Sequence, residues 1–247
     1  MDFRRAGPDT CAPRIVATAM PDRRTPDSDR LQQRLVAGLA ALPLDLPVAA
    51  IERLLDYVDL LTRWNATYNL SAVRDPLDMV TRHLLDSLAI VPHVTGATLA
   101  DLGSGAGLPG IPLAIAAPQR AVSVVDSNGK KTRFLRAAVR ELKLDNVRVV
   151  ESRVEAVDGT FDCITARAFA SLAEMLAWGG KLLAPGGVWL ALKGRFPQDE
   201  LAAMAPPFAV DAVLPLHVPG LDAERHVVVI KRVRDNAPHP QGPAETA

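Results

Sequence analysis

Between Thr98 and Pro112 the chain reads Thr-Leu-Ala-Asp-Leu-Gly-Ser-Gly-Ala-Gly-Leu-Pro-Gly-Ile-Pro, an apolar run that breaks into closely spaced glycines. No other segment narrows the fold as much. The pattern predicts a buried strand ending in a sharp loop at Gly103, Gly105 and Gly107, with a helix starting near Gly110. Glycines reach positive φ and lack a Cβ, so such a loop presses bare backbone against a ligand. The helix behind it would aim its positive end at a carboxylate or phosphate.

The surrounding pattern alternates. Apolar runs near 98–102, 121–126, 147–151, 161–166, 187–193, 209–214 and 226–232 predict seven strands, with helix-like segments between them through about residue 186. That alternation predicts a mostly parallel α/β sheet with helices on both faces. The last two runs flank Pro219-Gly220 and lie too close for a helical crossover, so they should pair antiparallel. Upstream, Leu35, Leu39 and Leu42 suggest a short helix, and Ile51, Leu54, Leu55, Val58, Leu61 and Tyr68 a longer one. Asp75-Pro76 supplies an N-cap and an N1 proline for a third, with Leu77, Val80, Leu84, Leu88 and Val91 on its buried face. The expected organisation is a disordered tail over 1–28, a helical N-terminal cap over 29–95, a Rossmann-like domain over 96–234 and a second disordered tail over 235–247.

A chain of 247 residues with 49% hydrophobic and 23% charged residues can bury a sizeable core. Met1-Asp-Phe-Arg-Arg lacks the apolar core of a secretory signal, and no run is long enough to span a bilayer, so a cytoplasmic protein with no membrane partner is expected. Cys11 and Cys163 do not form a disulfide framework, and His83, His93, His217, His226 and His239 lack ligand spacing, so no metal is expected. With 28 basic and 28 acidic residues the formal charge is zero, and total charge does not announce a nucleic-acid binder. Lys130 to Lys143 reads as an amphipathic helix whose arginines form a solvated face, while Lys130 and Lys131 start it at the ligand edge of the sheet.

Gly105-Ala-Gly107-Leu-Pro-Gly110 matches the dinucleotide fingerprint literally, but its register is poor. Gly103 already follows the strand, and Pro109 and Pro112 bracket the third glycine. Asp101 would repel a pyrophosphate yet could pair with the ammonium of a bound amino acid, so Asp-x-Gly-x-Gly-x-Gly fits S-adenosylmethionine better than NAD. Asp126 ends the next strand about 20 residues on, where ribose hydroxyls lie in such sites; a solubilising strand end is the plainer alternative. In Glu151-Ser-Arg-Val-Glu155, Val154 could pack on an adenine ring and Glu155 meet its edge, or Arg153 and Glu155 could merely form a loop salt bridge.

His83, Asp86 and Ser87 share one helix without a nucleophile elbow, so they read as a polar face over the cofactor site and not as a hydrolytic triad. Asp162-Cys-Ile-Thr-Ala-Arg-Ala-Phe-Ala170 lacks the Pro-Pro-aromatic run of adenine amino-methylating enzymes and a cysteine placed to attack a pyrimidine. Arg167 and Lys193 instead end neighbouring strands where a substrate would approach.

Nine motifs, some of them described above, carry a resemblance. Trp64-Asn-Ala-Thr-Tyr-Asn-Leu70, Arg82-His-Leu-Leu-Asp-Ser-Leu88, the loop from Asp101 to Leu113, Asp126-Ser, Gly129-Lys-Lys, Ser152-Arg-Val-Glu155, Arg167-Ala-Phe-Ala-Ser171, Leu192-Lys-Gly194 and Glu224-Arg-His-Val-Val-Val-Ile230 occur in order. Together they resemble the RsmG (GidB) family, bacterial enzymes that methylate N7 of a guanine in small-subunit ribosomal RNA. The match covers about residues 48 to 232, with Ser104 and Ala106 where Thr and Pro are common. It implies a class I S-adenosylmethionine-dependent methyltransferase fold acting as a monomer on 16S ribosomal RNA or the small-subunit particle. Cofactor contacts are implied at Gly103, Leu108, Val154, Glu155 and Arg167, with Asp101 and Asp126 added from the strand ends. Lys130, Arg153, Arg167 and Lys193 are implied as a basic rim around the reacting base. A small-molecule methyltransferase, an NAD-dependent oxidoreductase and an RNA-binding module using the cofactor structurally are the competing readings.

Overall fold

Seven strands form one sheet in the order β3-β2-β1-β4-β5-β7-β6, in a computed structural model that describes residues 26–167 and 170–233. The strands are β1 (Thr98–Leu102), β2 (Ala121–Asp126), β3 (Val147–Glu151), β4 (Phe161–Arg167), β5 (Leu183–Lys193), β6 (Phe208–Pro215) and β7 (His226–Arg232). The first five pair in parallel, and β7 lies antiparallel between β5 and β6. This is the expected class I arrangement. Strand order reverses beside β1, with β2 on one side and β4 on the other, so a crevice opens at their carboxyl ends.

Alternation along the strands feeds two cores. Leu99, Val122, Val124, Cys163, Leu190 and Val229 face one side, where they pack with Leu54, Leu61, Leu84 and Leu88 of the N-terminal helices and with Phe134 and Leu135. Ala100, Leu102, Ile164, Trp189 and Ile230 face the other side, covered by Leu172, Met175 and Leu176. The covering helices are α5 (Gly110–Ala116), α6 (Gly129–Glu141) and α7 (Leu172–Gly179), followed by the short α8 (Gln198–Ala202). Asn128 caps α6 by accepting from Lys130 N–H and Lys131 N–H, and Ser171 with Glu174 closes a capping box on α7.

The N-terminal layer holds α1 (Pro26–Leu39) and α2 (Val48–Tyr68). The first starts at Pro26, inside the segment expected as a tail; the remainder of that tail, and the tail from 235 to 247, lie outside the described residues. The third expected helix is not a regular α-helix. It runs as α3 (Pro76–Met79), a π-helical segment (Val80–Leu85) and α4 (Asp86–Leu88). Every residue from Met79 to Ile90 except Arg82 is buried, so no narrow apolar stripe governs it. The wider π turn shifts the helical phase within the layer and leaves both His83 and Asp86 on the wall of the crevice.

Candidate functional site

The glycine loop closes on itself through short-range bonds. Gly107 N–H and Leu108 N–H both donate to Ser104 C=O, and Ser104 N–H donates across to Val125 C=O. Gly103, Gly105 and Gly107 have φ of 68°, 61° and 89°, the left-handed region where a side chain is strained. Tyr57 of α2 donates its hydroxyl to Ala106 C=O at 2.6 Å, so the helical layer holds the loop from outside.

Asp101 does not face the crevice. It is fully buried, and its carboxylate accepts from the Ser104 hydroxyl, from Gly110 N–H at 2.9 Å and from the Thr165 hydroxyl at 3.1 Å. The expected contact with a cofactor ammonium is therefore replaced by an internal brace, because three donors and complete burial leave no approach. The same contact corrects the expectation for the helix start: the N-terminus of α5 is spent on Asp101. Burial pushes the Asp101 carboxyl up to about 6, against the hydrogen bonds that favour its charge.

Two cavities, of about 480 and 520 Å³, meet at Gly103 and Lys131. The second is lined by Asp126, Arg153, Val154, Glu155 and Trp178. Asp126 accepts from Gly105 N–H and Asn128 N–H at 2.9 and 2.8 Å, which ties the loop to the end of β2. Val154 and Trp178 give this cavity an apolar wall of the kind a flat ring needs. The first cavity is lined by Leu108, by the polar pair Ser71 and His83, by Asp86, and by five basic side chains: Arg82, Lys131, Arg167, Lys193 and Arg225.

The basic residues of the expected rim are thus divided. Arg167 and Lys193 stand at the first cavity and Arg153 at the second. Lys130 lines neither and is exposed on the first turn of α6, while its neighbour Lys131 turns inward to 3.7 Å from Asp126. Consecutive helical residues point about 100° apart, so only one of the two lysines can face the crevice.

Pairing fixes the first cavity. Asp86 is buried and accepts from Arg225 Nε at 2.7 Å and from Arg167 at 3.2 Å. Lys193 Nζ donates to both carboxylate oxygens of Glu200, at 3.0 and 2.7 Å, and to Ala170 C=O at 3.2 Å, which uses all three of its protons. Glu200 also accepts from Leu172 N–H at 2.7 Å. Ser71 Oγ lies 2.7 Å from His83 Nε2, within hydrogen-bond distance, and also accepts from Val73 N–H. Burial, and then the nearby Arg167 charge, push His83 down to about 4. Arg225, Arg82 and Glu200 are given no role by the sequence reading; the partner of Arg225, Asp86, lies 139 positions away along the chain.

Among the described residues no helix is long and apolar enough to cross a membrane. No group of three or more His, Cys, Asp or Glu among them could hold a metal ion.

Residues 50–228 match the family model of GidB, rRNA small subunit methyltransferase G. A ribosomal RNA small subunit methyltransferase G of Xanthomonas euvesicatoria pv. vesicatoria is 57% identical over 200 residues, covering 80% of this chain and 93% of that protein. The Neisseria meningitidis serogroup C protein of the same name is 52% identical over 203 residues, covering 81% and 98%. Among solved structures, the glycopeptide N-methyltransferase MtfA complexed with S-adenosylhomocysteine superposes with a TM-score of 0.53 at 13% identity, over 61% of this chain and 87% of that one. TrmN from Thermus thermophilus gives 0.50 at 20% identity, over 62% and 53%. These two likenesses concern the fold alone.

Proposed function

Since the chain belongs to the rRNA small subunit methyltransferase G (GidB) family, with S-adenosylmethionine-dependent methylation of small-subunit ribosomal RNA as its chemistry, we propose that its target is N7 of a guanine in 16S ribosomal RNA. Bound S-adenosylmethionine supplies an electrophilic methyl group. The residues present fit that group: Val154 and Trp178 offer an apolar slot for the adenine, Glu155 its polar edge and Asp126 acceptors for ribose hydroxyls. Gly103 joins this slot to the first cavity, where Leu108 and Arg167 would border the methionine end.

The observation that carries the choice of N7 is the absence of a competent base among the described residues lining the first cavity. His83 is held near 4 and keeps its imidazole neutral and weakly basic at pH 7, and Asp86 is saturated by two arginines. A hydroxyl or an amidic N–H would have to lose its proton to such a base. Guanine N7 has a free lone pair and no proton, so positioning at near-attack distance suffices. An arginine bidentate to N7 and O6 would block the reacting lone pair, so Arg167 and Arg225 would serve through O6 or backbone phosphates. A cytoplasmic site of action follows from this substrate.

The test is transfer of labelled methyl from S-adenosylmethionine to small ribosomal subunits, and to naked 16S RNA, from a strain lacking the enzyme, followed by nucleoside analysis. Label in 7-methylguanosine is expected. Label in another nucleoside would overturn the N7 assignment, and no label in either substrate would overturn the RNA reading.

A further inference from the structure

We infer that Phe196 is a stacking platform for an unpaired RNA base beside the target nucleotide, an inference that rests on the ribosomal RNA reading above. Phe196 is 52% exposed, the most exposed large hydrophobic side chain among the described residues. It follows Lys193 and Gly194, both on the wall of the first cavity, and Arg195 beside it is exposed as well. The loop therefore places a ring and a guanidinium together at the carboxyl edge of the sheet.

The ring is held and not merely left outside. Phe196 meets His226 with centroids 5.7 Å apart and planes at 85°, and His226 Nδ1 lies 3.3 Å from Gly194 C=O. A perpendicular neighbour covers at most one face of the phenyl ring. With half of its surface exposed, the ring leaves area for a base, and every base has a π-face to lay on it. His226 opens β7, next to the Arg225 that pairs with Asp86 on the cavity wall, so the platform and the reaction site share one rigid strand end.

Charge leaves room for such a contact. With 28 basic and 28 acidic residues the chain has no net field to draw RNA in. Of the basic groups on the first cavity, Arg167, Arg225, Lys131 and Lys193 already face carboxylates of the protein. With Arg82 the one basic group of that wall for which no carboxylate partner is seen among the described residues, stacking would add to the affinity for a single-stranded loop, and its loss on truncation to Ala weakens binding by about 5- to 150-fold per base.

The experiment measures kcat and KM for small ribosomal subunits from the same deletion strain with wild type, F196A, F196L and F196W, alongside S-adenosylhomocysteine affinity by calorimetry. Because the side chain is half outside the protein, all three variants should fold and bind S-adenosylhomocysteine as wild type does. F196A and F196L are expected to raise KM about tenfold, with F196W at or below the wild-type value. Wild-type KM in F196A, or in F196L, would overturn the platform, the second outcome by reducing Phe196 to apolar packing. Wild-type protein that methylates no small-subunit RNA would overturn the functional reading, and the platform with it.

Discussion

Arg225 Nε donates to Asp86 Oδ1 at 2.7 Å, joining two residues 139 positions apart. The other oxygen of Asp86 takes Arg167, so one buried carboxylate aims two guanidinium groups from the end of β4 and the loop before β7 into the first cavity. Both arginines are held in place before any substrate arrives, which removes ordering cost from binding.

Asp86→Asn should break this pairing while keeping the shape. One arginine would then face an amide N–H₂ in a partly buried setting, a loss of about 2 kcal/mol by the usual cost of a charged hydrogen bond. Urea unfolding should show that loss. Single-turnover methyl transfer at saturating RNA and cofactor should fall as well, and unchanged turnover would remove Asp86 from the positioning role.

Lys193 and Arg153 should separate under salt. Arg153 is exposed, so Arg153→Ala should reduce the slope of log affinity for RNA against log salt by roughly 0.7 to 0.9 if it holds a phosphate. Lys193 spends its protons on Glu200 and Ala170, so Lys193→Ala should leave that slope unchanged. Glu200→Gln and Lys193→Ala should instead lower turnover alike, since each loosens the chain that follows Arg167. A reduced slope in Lys193→Ala would show that RNA displaces Glu200.

Two buried groups oppose each other in acid. His83 has a folded-state value near 4, below its ordinary 6.5, so its contribution to stability is present above about 6.5 and is lost as pH falls towards 4. Asp101 has a folded-state value near 6, above its ordinary 3.8, so its contribution is present below about 3.8 and is lost as pH rises through 6. His83→Gln should remove the first effect. Urea midpoints between pH 4 and 6.5 should then rise on acidification relative to wild type, and parallel curves for the two proteins would refute the assignment to His83.

Gly105 and Gly107 should fail differently. A Cβ at Gly105 meets nothing closer than Gly103 C=O at 3.9 Å, so Gly105→Ala should cost only the left-handed strain of about 1 kcal/mol. Gly105 lines the first cavity, so S-adenosylhomocysteine affinity should nonetheless drop. At Gly107 the Cβ would sit 2.5 Å from Ile111 and 2.9 Å from Leu135, and overpacking plus strain should cost about 3 kcal/mol. Thermal melts beside calorimetric titrations distinguish loss of fold from loss of ligand.

The strands, the loop and the carboxylate at Asp126 were legible because each is written in contiguous residues: a short apolar run, a turn signal, an acid at its end. Asp101 was legible in position but not in direction, since an alternating strand does not say whether a carboxylate meets a ligand or the start of its own helix. The π-helical segment from Val80 to Leu85 escaped the sequence because its residues are buried on nearly all sides, and a burial stripe is what reveals phase. The pairings of Asp86 with Arg225 and of Lys193 with Glu200 were hidden for a different reason. Asp86 and Arg225 lie on elements that only the folded sheet and its covering helices bring together, whereas Lys193 and Glu200 are seven residues apart and meet through the turn between β5 and α8, which no residue pattern marked.

Leu54 and Leu84 of the helical layer belong to the same apolar cluster as Leu99, Leu190 and Val229 of the sheet, and Tyr57 reaches through to the glycine loop. Boundaries drawn on the sequence near residue 95 therefore cut through one oil drop. The helical layer is part of the protein's interior and not a lid fastened to a finished domain. Heat should find a single cooperative transition, with no surviving sheet once the layer is gone. A change in these helices is therefore felt at the glycine loop, through Tyr57 and the shared apolar cluster.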